Sequence, residues 1–212
     1  KAVAKGIGAD SRIGRSFLEP GLGYGGSCFP KDVESLLHTS NELGAPFPLL
    51  QEVMQKNAER VPQFVNRIVE RITENGTRSP TDMILAILGL SFKPETDDMR
   101  EAKSIEMCRL LREKGARLRA YDPIATENAK TMIGTRGIEY CNSAYEAAEG
   151  ADAAVIVTEW REFKQLNLKR LRSILRQPIL FDGRNIYTFE QIRAAIIEYH
   201  GIGRPVIYET ED

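Results

Sequence analysis

The chain has 212 residues, 42% of them hydrophobic, and its 29 Lys and Arg stand against 30 Asp and Glu. This is an ordinary globular composition, enough for one large domain or a small one beside a medium one, and the near-zero charge argues against nucleic-acid binding or polybasic membrane attachment. Three cysteines, at 28, 108 and 141, are odd in number and widely spaced, which predicts free thiols in a reducing, cytoplasmic setting, with no disulfide framework and no metal cluster.

The opening stretch KAVAKGIGADSRIG lacks the apolar core of a secretion signal, and no later run is long or apolar enough to span a bilayer. It starts without Met inside a helix-like stretch, so the chain reads as part of a longer polypeptide. Next comes GLGYGG (21–26), which fits the G-x-G-x-x-G template of a dinucleotide-binding turn. That template works only behind a buried strand, and DSRIGRSFLEP upstream is charged and ends in Pro, which has no backbone N–H for a sheet. The downstream half survives. Pro30 suits a first helical turn, and Val33, Leu36, Leu37, Asn41 and Leu43 give a mostly apolar stripe as far as Gly44, which places Cys28 at or just before a helix N-terminus. Helix N-termini carry partial positive charge and free N–H groups, a setting for reactive thiols, and Lys31 adds a cation. The glycines would let the backbone approach a bound ligand.

A second helical segment runs from Pro48 through PLLQEVMQKNAERVPQFVNRIVERI, with Pro62 expected to kink or divide it. TENGTRSPTD (73–82) is polar, holds Gly and Pro, and marks the expected boundary between a helical unit (1–80) and a second unit (81–212). Beyond it strands and helices alternate: strand MILAILGL (83–90), helix AKSIEMCRLLREKG, strand ARLRAYDP, a helix near 125–133, strand IEYC, a helix at SAYEAAEG, strand ADAAVIVTEW, a basic helix, strand PILFDGRN and a closing helix TFEQIRAAIIEYHG. The fold class expected is α/β, a doubly wound parallel sheet of Rossmann-like shape preceded by helices. Cys108, on a helix stripe with Ile105 and Leu111, and Cys141, at a strand end, read as core. His38 and His200 both fall on helices, and neither is tied to a site.

Ligands of such sheets bind at the carboxyl ends of the strands. The segments after the strands carry Lys93, Arg100 and Arg184, cations that suit a nucleotide diphosphate if they converge on one edge. None of the strands is followed by a glycine-rich turn of dinucleotide spacing.

DSRIGRSFLEPGLGYGGSCFPKD (10–32), ILGLSFKPETDDMREAKS (87–104) and FDGRN (181–185), in that order, resemble the UDP-glucose/GDP-mannose dehydrogenase family over nearly the whole chain. The resemblance implies the end of a central, dimer-forming helical part and a complete nucleotide-sugar-binding domain, with the NAD-binding domain and the central helix's catalytic lysine and asparagine lying outside this sequence. It implies Cys28 as the nucleophile of a two-step, NAD-dependent oxidation of the sugar's C6 alcohol, through a thiohemiacetal and a thioester, with Asp32 assisting proton transfer and water activation. It further implies substrate contacts at Phe17, Leu18, Tyr24, Gly25, Lys93 and Arg184, cofactor contacts at Lys31 and Arg100, and a homodimer across whose interface Arg12 reaches the substrate. Ser27 and Lys31 disfavour relatives acting on UDP-N-acetylmannosamine. UDP-glucose ranks first as substrate and GDP-mannose second, and the chain by itself is expected to be a nucleotide-sugar-binding and dimerisation module.

Overall fold

A computed structural model describes residues 2–15, 17–74 and 76–208. Its elements run α1 (Ala2–Ile7), α2 (Phe29–Glu42), α3 (Pro48–Ile72), β1 (Ile84–Leu88), α4 (Lys103–Glu113), β2 (Arg117–Tyr121), α5 (Thr126–Ile133), β3 (Ile138–Tyr140), α6 (Ala144–Ala148), β4 (Ala153–Ile156), α7 (Arg161–Lys164), α8 (Leu168–Ile174), β5 (Ile179–Asp182), α9 (Phe189–Ala195) and β6 (Glu198–Gly201). The side chains of β1 divide by parity: Leu85 and Ile87 enter one core, Ala86 and Leu88 the other. A strand buried on both faces needs layers on both sides. The first face is covered by α3, α4 and α5 through Ile68, Met107 and Ala129, and the second by α6, α8 and α9 through Ala147, Leu171 and Ile192.

Among the described residues six strands form a parallel sheet in the order β3-β2-β1-β4-β5-β6. The expected α/β doubly wound fold is therefore present, and the strand order reverses between β1 and β4, where such sheets open a crevice at their carboxyl ends. The second half of α3 belongs to the sheet's own core, so the apolar packing runs across the polar segment 73–82.

Three local expectations are corrected. Pro62 does not divide α3, which continues as one helix of 25 residues. An interior Pro costs about 3 kcal/mol, but Val61, Phe64, Val65, Ile68 and Ile72 are all buried on the sheet, and each such burial contributes roughly 1.5–3 kcal/mol. The basic helix is two short ones, α7 and α8, because the Asn167 side chain accepts from Arg170 N at 3.1 Å and starts a new helix there. The closing helix ends at Ala195, and EYHG becomes a sixth strand. Ile196 takes a left-handed turn at φ 50, a costly conformation for a β-branched residue. It is offset by the ladder of β6 on β5 and the complete burial of Tyr199.

His200 consequently lies on a strand, not a helix, and it is part of a clamp. Its Nε2 is 2.6 Å from Glu198 Oε1, and Arg71 at the end of α3 donates to both oxygens of Glu198 at 2.7 Å. Burial opposes the charge on Glu198, but the hydrogen bonds from His200 and Arg71 outweigh it and hold the carboxyl down at about 2. A depressed carboxyl stabilises the fold above its ordinary range and loses that contribution as pH falls from there through about 2. We expect Arg71→Met, which leaves the buried Glu198 carboxylate to His200 alone, to cost about 3 kcal/mol in urea unfolding at pH 7, and adding Glu198→Gln to recover part of it. No loss in the single variant would mean that the clamp contributes nothing to docking α3 on β6.

Candidate active site

Cys28 is the N-cap of α2, exposed, with Pro30 and Asp32 in the first turn behind it. The Asp32 N–H donates to the Cys28 carbonyl at 3.0 Å, so the two residues sit one turn apart as their spacing predicts. Ser27 Oγ lies 3.6 Å from Cys28 Sγ. Lys31 is exposed. Asp98, paired with Arg100 at 2.7 Å, holds the guanidinium above its ordinary value, with a smaller electrostatic contribution from Cys28.

The loop before Cys28 is seated on the carboxyl edge of the sheet. Leu22 is buried in the first core, Gly26 N–H donates to the Arg100 carbonyl at 3.1 Å, and Tyr24 N–H donates to Asn57 Oδ1 of α3 at 2.8 Å. Tyr24 is packed edge-on against Phe29 with ring centroids 4.8 Å apart. A Cβ at Gly21 would collide with the Arg184 guanidinium, and one at Gly25 with the Glu101 carbonyl. At these two positions glycine lets the loop approach the protein's own surface, where the sequence reading expected approach to a ligand.

Two hollows flank the line where Gly21 meets Arg184. One, a recess of about 20 Å³, is lined by Gly23, Gly25, Phe92, Lys103, Thr158 and Arg184 at the junction of β1 and β4. The other, of about 390 Å³, is lined by Leu18, Glu19, Pro20, Asn185 and Arg204 with apolar side chains of α1. Asp182, at the end of β5, sets the turn that presents Arg184. Its oxygens accept from Arg184 N at 2.9 Å, Ile186 N at 2.8 Å and Tyr199 Oη at 2.9 Å, and burial pushes its carboxyl up. Arg184 Nη2 pairs with Glu159 at 2.6 Å, while its Nε is buried without an acceptor.

Of the cations expected to converge, only Arg184 lines the recess. Lys93 is exposed, with Nζ 5.2 Å from the centroid of the Phe92 ring, and Arg100 is turned to Asp98. Arg12 is paired with Asp10 at 2.6 Å on the surface, Phe17 is 96% exposed, and Leu18 lines the larger cavity. Sequence reading missed Asn57 and Lys103. Asn57 had no signal, being one polar residue in an amphipathic helix. Lys103 had one, a cation in the first turn of a helix, where the macrodipole disfavours it.

The sheet itself does not fit a dinucleotide. The position after β2 that would bind a ribose diol is Asp122, and its carboxylate is already consumed. Oδ2 accepts from Leu90 N at 2.7 Å, Ser91 N at 3.1 Å and Trp160 Nε1 at 3.1 Å, and Oδ1 from Ile124 N at 3.0 Å and Ala125 N at 2.7 Å.

Residues 1–59 match the model of the central domain of the UDP-glucose/GDP-mannose dehydrogenase family, and residues 86–189 match that of its UDP binding domain. The chain belongs to this family. It is 41% identical to a UDP-glucose 6-dehydrogenase of Bacillus subtilis over 99% of its length and 44% of the relative's. A Rhizobium meliloti enzyme of the same name is also 41% identical, over 96% of this chain and 45% of its own. The solved structure of a UDP-glucose dehydrogenase from Pyrobaculum islandicum superposes with a TM-score of 0.77 at 32% identity, covering 94% of this chain and 42% of the other. The chain thus spans less than half the length of the family members it matches.

The three thiols differ sharply in setting. Burial pushes the Cys108 thiol up to about 12 and raises that of Cys141, whereas Cys28 is exposed. In limited iodoacetamide labelling at pH 7.5 with peptide mapping, Cys28 should react first, and Cys108 and Cys141 only on unfolding. First labelling of either buried thiol would contradict this geometry.

Proposed function

We propose that this chain is the thiol-bearing, nucleotide-sugar-binding part of an NAD-dependent dehydrogenase that oxidises UDP-glucose to UDP-glucuronate. The observation that carries the reading is the placement of exposed Cys28 on a glycine loop docked against Arg184, beside a hollow able to take a nucleoside. The family match to a UDP binding domain supports the base.

NAD supplies the acceptor for the two hydrides. The chemistry assigned to this chain is to hold the carbon being oxidised. Cys28 Sγ adds to the C6 aldehyde, forming a C–S bond while the carbonyl electron pair moves to oxygen and takes a proton. Sulfur keeps the carbon in place until it is at the acyl level. Water, relieved of a proton by Asp32, then attacks the thioester carbonyl, the C–S bond breaks, and Sγ leaves as thiolate. The carboxyl of Asp32, one turn from Cys28 and exposed, suits that role. Lys31 and Arg100 are the residues of this chain assigned to the cofactor, Lys93 and Arg184 to the diphosphate, and Phe17, Leu18, Tyr24 and Gly25 to the nucleotide sugar.

We also assign a homodimer to the helical part, in a cytoplasmic protein. Leu36, Leu43, Leu49 and Val53 on and around α2 and α3 are exposed apolar side chains that a second copy would cover, and Arg12 would reach the substrate from across that interface. No helix among the described residues is long and apolar enough to cross a membrane.

In the full-length protein, Cys28→Ser should abolish net NADH formation from UDP-glucose while leaving UDP-glucose binding within about threefold. Unchanged turnover would overturn the covalent role. In calorimetry on this chain, UDP should bind in preference to GDP and more weakly as salt rises, and NAD should not bind. Preference for GDP would move the substrate to a GDP-sugar.

A further inference from the structure

We propose that Lys103 is the second cation of a phosphoryl-binding recess formed with Arg184, and that it sets the site's preference for a phosphorylated over an uncharged nucleoside. This rests on the nucleotide-sugar reading above and goes beyond it in naming a residue and a function for the small recess.

Lys103 is the first residue of α4, with Ala102 as the N-cap. A cation there is repelled by the helix's positive end, so the residue is not explained by helix stability. It is half-buried. Among the described residues it has no ion pair, although Glu101 and Glu106 are close in sequence. Its stem lies against the glycine loop, with Cε 3.0 Å from where a Gly23 Cβ would stand. The side chain therefore spends burial and charge at the recess, not on another protein group.

Arg184 carries unused donor capacity. Its Nε is buried with no hydrogen-bond partner among the described residues, and Glu159 accepts from Nη2. Both residues line the recess, one from the start of α4 and one from the turn after β5. At about 20 Å³ the recess has room for an oxygen or two, not for a sugar or a base. Phosphoryl oxygens match it in size and sign, while the 390 Å³ cavity beyond the Gly21–Arg184 contact is the one able to hold the nucleoside.

The test is calorimetry of UDP and of uridine on this chain, with Lys103→Gln and Lys103→Arg. We expect Lys103→Gln to weaken UDP about tenfold, as loss of one charge-assisted contact does, and to flatten the salt dependence. Uridine binding should be unchanged and the melting temperature equal or higher, since an unfavourable helix charge is removed. Lys103→Arg should keep UDP binding within about threefold. Equal UDP affinity of wild type and Lys103→Gln would overturn the inference while leaving the nucleotide-sugar reading intact. Parallel loss of UDP and uridine would make Lys103 a structural residue and overturn it as well. A wild-type chain that binds neither UDP nor uridine would overturn the reading and the inference together.

Discussion

The carboxylate of Asp122 is the contact on which the geometry of the crevice depends. Three connections of the sheet end on it: the segment after β1 through Leu90 and Ser91, the turn after β2 through Ile124 and Ala125, and the segment after β4 through Trp160. A buried carboxylate must be given donors, and backbone N–H groups leaving parallel strands must be given acceptors. One group meets both needs at the place where the strand order reverses. Thr158 adds a second tie across the same gap by donating to the Ser91 carbonyl at 2.6 Å.

The acid after β2 is turned into the protein, and the loop from the helical part is packed onto the same edge of the sheet. Leu22 anchors that loop in the same core that receives α3, so the thiol-bearing segment and the sheet are fixed to one another by apolar burial and not only by polar contacts. The Arg71–Glu198–His200 clamp performs the equivalent task at the other end of α3, on the outermost strand.

The site's electrostatics follow from that assembly. Gly26 hydrogen-bonds the Arg100 carbonyl while Asp98 holds its guanidinium, and Arg184 reaches the recess because Asp182 holds the turn behind it. In each case a positively charged side chain is positioned by backbone contacts of its neighbours. Such positioning does not show in residue type or spacing.

Periodicity and turn chemistry in the sequence determined the parallel α/β architecture, the helix beginning behind Cys28, and the core placement of Cys108 and Cys141, because these depend on local pattern and on which faces must be buried. The same local reasoning failed where tertiary contacts outweighed it. It expected Pro62 to kink or divide α3, where five buried side chains hold one continuous helix, and it extended α9 through EYHG, where pairing with β5 draws the chain into β6 and makes His200 part of a buried clamp. Only the tertiary structure decided that Arg184, and not Lys93, meets the glycine loop, and that Asn57 and Lys103 lie against the same loop. Those residues lie far apart in sequence, and what unites them is the docking of a helical segment onto the carboxyl edge of a sheet, a long-range packing event that no window of the sequence contains.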